Sequence, residues 1–163
     1  MLGMTKVENV IGDLLRARGF KLATAESCTG GLIASRITDV PGSSEYFAGG
    51  VAAYAYEAKV ALLGVSWDTL KAHGAVSRET VLEMARGARK TLNADIAVSV
   101  SGIAGPGGGM PDKPVGTTWI GLSTSDGDWS RLFHFDGDRA QNKSLAADAA
   151  LQFLMDYLTG NIK

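Results

Sequence analysis

Apolar residues recur at helical spacing over residues 7–18, where Val10, Ile11, Leu14 and Leu15 fall on one side and Gly19 stands at the C-terminal cap position. An opening amphipathic helix is predicted. The following FKLATAES reads as a strand, and from Thr29 onward Leu32, Ile33 and Ile37 return to helical spacing until DVPGSS interrupts it. Ser27 therefore falls at a strand-to-helix turn. YFAGGVAAYAY, apolar and broken by glycine, predicts a strand whose backbone something approaches closely. EAKVALLG predicts a short helix closed by Gly64, with Lys59 one turn inside it on a face shared with Leu62 and Leu63.

After VSWDTLKAHGAVS, Ser77 and Thr80 offer N-cap chemistry to RETVLEMARGARKTLN, whose Val81, Met84, Ala85 and Ala88 share a face. DIAVSVSGIAG is a β-branched run suited to a buried strand, whereas GPGGGMPDKPVG carries too much glycine and proline for regular structure. Two β-rich runs flank SDGD, predicting a hairpin with Asp126 and Gly127 in its turn, and a closing helix runs from about Arg139 to Leu158.

Strands separated by helices, with one late antiparallel hairpin, define an α/β fold: three α/β/α layers around a mixed sheet, in a single domain spanning residues 1–163. No repeat or linker interrupts it. In such sheets ligands bind beyond the carboxyl ends of the strands, which directs attention to ESCTGG, SGIAGPGGG and FDGDR.

Composition narrows the chemistry. With 45% hydrophobic and 20% charged residues and a formal charge of -1, the chain has the make-up of an ordinary globular protein and lacks the basic excess of a nucleic-acid binder. Its one cysteine, Cys28, excludes an intrachain disulfide, and cysteine and histidine are too few for a cysteine-rich zinc site. The first residues lack a secretory pattern, and no stretch reaches the roughly 18 apolar residues of a spanning helix. A cytoplasmic protein without membrane contact is expected.

At the turn, Ser27 has two readings. Backbone N–H groups of residues 28–31 offer an oxyanion site beside a serine nucleophile; equally, Ser27 or Thr29 is an N-cap and Gly30 and Gly31 serve close packing. A serine nucleophile needs a base. His73 stands where a helix ends before Gly74 and suits a cap role, and His134 alternates with Phe133 and Phe135 and suits a surface or edge. Lys59 is the remaining candidate, as a desolvated neutral amine or as a snorkelling surface lysine. Of Ser27 and Cys28, adjacent in an extended segment, only one can easily face the cleft, and alternation does not say which. A dinucleotide-binding reading fails, because GPGGGM lacks the G-x-G-x-x-G spacing and runs into PDKP.

TAESCTGG, GSS, EAKVALLGV, HGAVS, SGIAGPGGG, KPVGT and GDR, in this order over roughly residues 7–158, resemble the C-terminal domain family of competence/damage-inducible protein CinA, which includes stand-alone nicotinamide-nucleotide amidases (PncC). The resemblance implies hydrolysis of the carboxamide of nicotinamide mononucleotide to nicotinate mononucleotide and ammonia, with neither metal nor cofactor. It implies Ser27 as nucleophile, Lys59 as general base and Tyr54 as an aid to proton transfer. Thr29, Gly30, Gly31, Ser101, Gly102, Ala104 and Gly105 would line the substrate site, with Arg139 on the phosphate. The alternative for Arg139 is a solvated position at a helix start, although its fork suits a phosphate. A homodimer is also implied.

One position departs from the pattern. Family amidases usually carry Y-S/T-N before EAK, and here Tyr56 occupies the asparagine position, in Tyr54-Ala55-Tyr56. Loss of a small amide removes a hydrogen-bonding group and fills space. Two alternatives to the nucleotide amidase follow: a catalytically silent paralogue that binds a nucleotide or a protein partner, and an amidase for a different small amide.

Overall fold

The computed structural model describes residues 5–162. Five strands, β1 (Leu22–Glu26), β2 (Phe47–Ala52), β3 (Ile96–Gly102), β4 (Thr117–Thr124) and β5 (Gly127–His134), form one sheet in the order β2-β1-β3-β4-β5. β1 is parallel to β2 and β3, and β4 and β5 are added antiparallel, so the sheet is mixed as its sequence pattern predicts.

The helices are α1 (Val7–Arg18), α2 (Leu32–Thr38), α3 (Tyr56–Leu63), α4 (Trp67–His73), α5 (Arg78–Thr91) and α6 (Arg139–Leu158). Alternation along the strands sorts the core into two layers. Leu22, Ile96, Val98 and Val100 pack against Ile11 and Leu15 of α1, Ile33 and Ile37 of α2, and Leu151 and Leu154 of α6. Ala23, Ala25 and Ala97, facing the other way, meet Leu63, Leu70, Met84 and Ala88 of α3, α4 and α5. The result is a three-layer α/β/α fold. Small strand residues on the second face let α5 approach closely, and Gly87 of α5 extends this to α3: a Cβ there would collide with the Leu63 carbonyl. That contact fixes the helix that carries Lys59.

Three local features differ from the sequence reading. α2 begins at Leu32, not at Thr29, and neither Ser27 nor Thr29 caps it; Gly31 holds the N-cap position. The reason is backbone geometry, because Gly30 and Gly31 have φ of 63° and 106°, which keep residues 27–31 in a turn outside the helix. The hairpin turn is Ser125-Asp126, with Gly127 already paired to Thr124; the Thr124 hydroxyl accepts the Asp126 N–H at 3.0 Å and closes the turn a residue earlier than expected. On α3 Lys59 shares its buried side with Leu63 but not with Leu62, which is half exposed. α4 supplies the helix whose end His73 marks, started by Ser66 accepting from the Asp68 N–H.

Parallel pairing brings the carboxyl ends of β1, β2 and β3 to one edge, with Glu26 level with Ala52 and Val100. The N-terminus of α6 arrives at the same edge, where Asp138 and Gln141 form a reciprocal capping box. Among the described residues no helix is long and apolar enough to cross a membrane.

Candidate active site

Ser27 is the first residue beyond β1 and is mostly buried, at 8% exposure. Its N–H donates to the Val100 carbonyl at 3.1 Å, and its own carbonyl accepts from the Gly30 N–H at 3.0 Å. Both bonds hold the serine against β3. Thr29 turns its hydroxyl to the Glu26 carboxylate at 2.6 Å. That carboxylate also accepts from the N–H groups of Ile33 and Ala34, at 2.9 and 3.0 Å, and so caps α2 in place of a serine or threonine. The N–H groups of Cys28, Thr29 and Gly31 have no oxygen acceptor among the described residues, the Cys28 N–H lying against its own sulfur. These three are the donors the turn leaves for a developing oxyanion, fewer than the four the sequence offers, because Gly30 is spent on Ser27.

Lys59 is 1% exposed, so the snorkelling alternative does not hold. Its Nζ lies 2.9 Å from Ser27 Oγ, 2.9 Å from the Ala53 carbonyl and 3.2 Å from the Tyr54 carbonyl. None of these partners is charged. Burial therefore holds the Lys59 ammonium below the ordinary lysine value of 10.5. The neighbouring Cys28 sulfur would oppose that shift only as a thiolate, and desolvation pushes its own thiol up to about 11. A neutral amine has two N–H bonds and one lone pair. As an ammonium Lys59 donates to all three partners; as a neutral amine it donates to the two carbonyls and turns its lone pair to the Ser27 hydroxyl proton.

Cys28 packs inward, into the core shared by α1, α2 and α6, although β1 ends at Glu26 and residues 27–31 form a turn rather than the expected extended segment. Its raised pKa keeps it a thiol, a poor nucleophile. The histidines stand elsewhere: His73 ends α4 with Nδ1 3.8 Å from Glu79 Oε2, and His134 is exposed on edge strand β5, with Nδ1 3.4 Å from Thr117 Oγ1.

The opposite wall comes from the loop after β3 and from α6. Ser101 is buried at the end of β3 and Gly102 closes the strand; Ala104 and Gly105 continue it into the glycine-rich loop, which has no regular structure. Arg139, the first residue of α6, donates from Nη1 to the Gly105 carbonyl at 2.7 Å and from Nη2 to the Tyr54 phenol oxygen at 3.1 Å. It is thus tied to two elements of the site while staying exposed, rather than free in solvent. Asn142, one turn further, donates to the Ala104 carbonyl at 3.0 Å and accepts from the Gly137 N–H. Tyr54 is 64% exposed and meets Lys59 through its main-chain carbonyl, whereas its phenol meets Arg139. Tyr56 opens α3, and its hydroxyl accepts from the Ala75 N–H at 3.3 Å.

The structure thus brings Ser27, Lys59, Tyr54, Gly105 and Arg139 to one edge of the sheet. Glu26, Ala53 and Asn142 belong to the same region and are not signalled by motif reasoning. The available sign for Glu26 is an acid at the end of an otherwise apolar and small-residue strand. No group of three or more His, Cys, Asp or Glu side chains placed to hold a metal occurs among the described residues.

A buried strand-end hydroxyl, a desolvated amine and unpaired backbone donors supply the parts of an acyl-transfer site. Comparison with known proteins agrees on the family. The CinA C-terminal domain model matches residues 4–158, and the chain belongs to that family. It is 51% identical over 161 residues to a CinA-like protein of Chlorobium limicola and 50% identical over 155 residues to one of Thermotoga maritima, covering 96% and 95% of this chain. The chain spans about two fifths of the length of these curated relatives, 38% of each. Solved structures of similar length align throughout. A CinA superfamily protein of Escherichia coli superposes with a TM-score of 0.88 at 33% identity, covering 93% of this chain and 90% of that one. Competence/damage inducible protein CihA of Agrobacterium tumefaciens gives 0.86 at 36%, covering 98% and 99%.

Proposed function

We propose that this chain is an amidase that hydrolyses the carboxamide of nicotinamide mononucleotide, with Ser27 as nucleophile and Lys59 as base. The observation that carries the reaction type is the 2.9 Å contact between Ser27 Oγ and the buried Lys59 Nζ. The choice of substrate rests on the family resemblance of TAESCTGG, EAK, SGIAG and GDR and on the fork of Arg139 at the rim, which suits a phosphate.

The steps balance with these groups alone. Ser27 Oγ bonds to the carboxamide carbon while its proton passes to Lys59 Nζ, and the carbonyl oxygen takes up the negative charge facing the N–H groups of Cys28, Thr29 and Gly31. Collapse of the tetrahedral intermediate breaks the C–N bond, and Lys59 returns the proton to the departing nitrogen, releasing ammonia. Water then attacks the ester, giving a proton to Lys59. Breakage of the Ser27 ester bond restores the hydroxyl with that proton and releases the nicotinate carboxyl group.

Ammonia release from nicotinamide mononucleotide by purified protein is the test. Wild type and Cys28→Ala should both release it, and Ser27→Ala should lose at least about 1000-fold in kcat. Equal turnover by Ser27→Ala would reject the mechanism. A second reading, an amidase for another small amide, is favoured by Tyr56, a large half-exposed phenol where the family amidases usually carry asparagine.

A further inference from the structure

Glu26 is the last residue of β1, directly before Ser27, and its side chain is 2% exposed. Its carboxylate accepts from Thr29 Oγ1 at 2.6 Å, from the Ile33 N–H at 2.9 Å and from the Ala34 N–H at 3.0 Å. Its main-chain carbonyl accepts from the Ala53 N–H at 2.9 Å, and the Ala53 carbonyl in turn accepts from Lys59 Nζ. One residue therefore touches both halves of the site. The side chain ties the serine turn to α2, and the main chain ties β1 to the segment that holds the lysine.

The donors on the carboxylate are a hydroxyl and two peptide N–H groups, so this is no ion pair. It is an acceptor placed where three donors converge, a task that the two oxygens of a carboxyl group perform and an amide does not, because an amide turns a donor toward one of the three. Without that acceptor the first-turn N–H groups of α2 lose their partner, and an added helical turn would pair them with carbonyls of residues 29 and 30. Pairing with those would draw residues 27–31 toward helix and shift both Ser27 Oγ and the three open N–H groups.

We infer that Glu26 is a positioning residue for the reaction: it holds the 27–31 turn so that Ser27 Oγ faces Lys59 while the N–H groups of Cys28, Thr29 and Gly31 stay free for the oxyanion. The inference rests on Ser27 being the nucleophile, as proposed above, but not on the identity of the substrate. A cap that served stability alone would leave the reactivity of each folded molecule unchanged. A positioning residue does not, since a misplacement of about 1 Å at a reacting pair costs about 100-fold.

The test is the rate at which a fluorophosphonate probe modifies Ser27, read by intact mass, in full-chain protein whose fold is checked by circular dichroism at the assay temperature. Glu26→Gln should slow labelling of folded protein by about 100-fold, and in turnover should lower kcat with KM little changed. Folded Glu26→Gln labelled at the wild-type rate overturns the inference. Should Glu26→Gln fail to fold, Thr29→Val decides, since it removes one donor and keeps the carboxylate and both peptide bonds to it; labelling slowed by about tenfold supports the inference and an unchanged rate overturns it. Wild type that labels at Ser27 yet releases no ammonia from nicotinamide mononucleotide removes the substrate reading and leaves the role of Glu26 standing. Wild type that does not label at Ser27 removes both.

Discussion

The Tyr54 phenol oxygen accepts a hydrogen bond from Nη2 of Arg139 at 3.1 Å, joining the segment between β2 and α3 to the start of α6 across 85 positions of chain. The same guanidinium donates to the Gly105 carbonyl, so the arginine is braced from two sides at the mouth of the site. If this brace serves phosphate recognition, Tyr54→Phe should raise KM for the mononucleotide several-fold, leave kcat nearly unchanged, and have no effect on the corresponding nucleoside. Steady-state kinetics on both compounds decides the matter. An equal loss of kcat on the two would instead assign the phenol to proton transfer.

Burial lowers the pKa of Lys59 below its ordinary value of 10.5, and the sign of the stability effect follows. Between the lowered folded value and the unfolded value, the unfolded chain binds a proton that the folded one does not, so unfolding is favoured by acid and stability rises with pH through that window. Removing the amine removes this slope. Urea midpoints of wild type should therefore gain on those of Lys59→Met as pH is raised from about 7 to about 10, whatever the offset between the two proteins at neutral pH. A constant difference across that range would mean that the amine titrates alike in both states.

Tyr56 tests the choice of substrate. Its hydroxyl is engaged with the Ala75 N–H beyond the start of α3, and its ring is half exposed. Replacement by asparagine restores the group usual in the family amidases and removes the bulk. Tyr56→Asn should raise kcat/KM for nicotinamide mononucleotide by about tenfold if the wild-type pocket is shaped for another amide. An unchanged profile over a panel of small amides would show that this position does not select the substrate.

Much of the fold is legible in the sequence because its elements carry clean local signals. The period of α1 ends at a glycine in the left-handed region, and α5 opens on Ser77, whose side chain accepts from the Thr80 N–H as its position predicts. The Ser27 turn is legible as a place but not as a conformation. Ser and Thr there look like caps, whereas two positive-φ glycines delay the helix and a glutamate seven residues before Ile33 does the capping. Lys59 is legible as a candidate, but its burial is not, for a related reason. Helical spacing gives it an apolar neighbour, but its burial depends on Gly87 bringing α5 against α3, and on the Ala53 and Tyr54 carbonyls standing where its amine ends. Contacts made across the sheet edge, such as Arg139 to Tyr54, have no local trace.

The proposed reaction requires a neutral Lys59 to take the proton from Ser27. Its most direct measurement is the pH dependence of fluorophosphonate modification of Ser27 in wild type and in Lys59→Met, from about pH 6 to about pH 10. The wild-type rate should climb along a single ionisation lying below 10.5, and the variant should be at least about 100-fold slower with no such rise. A variant that reacts as fast as wild type, or a wild-type rate that ignores pH throughout the range, would contradict it.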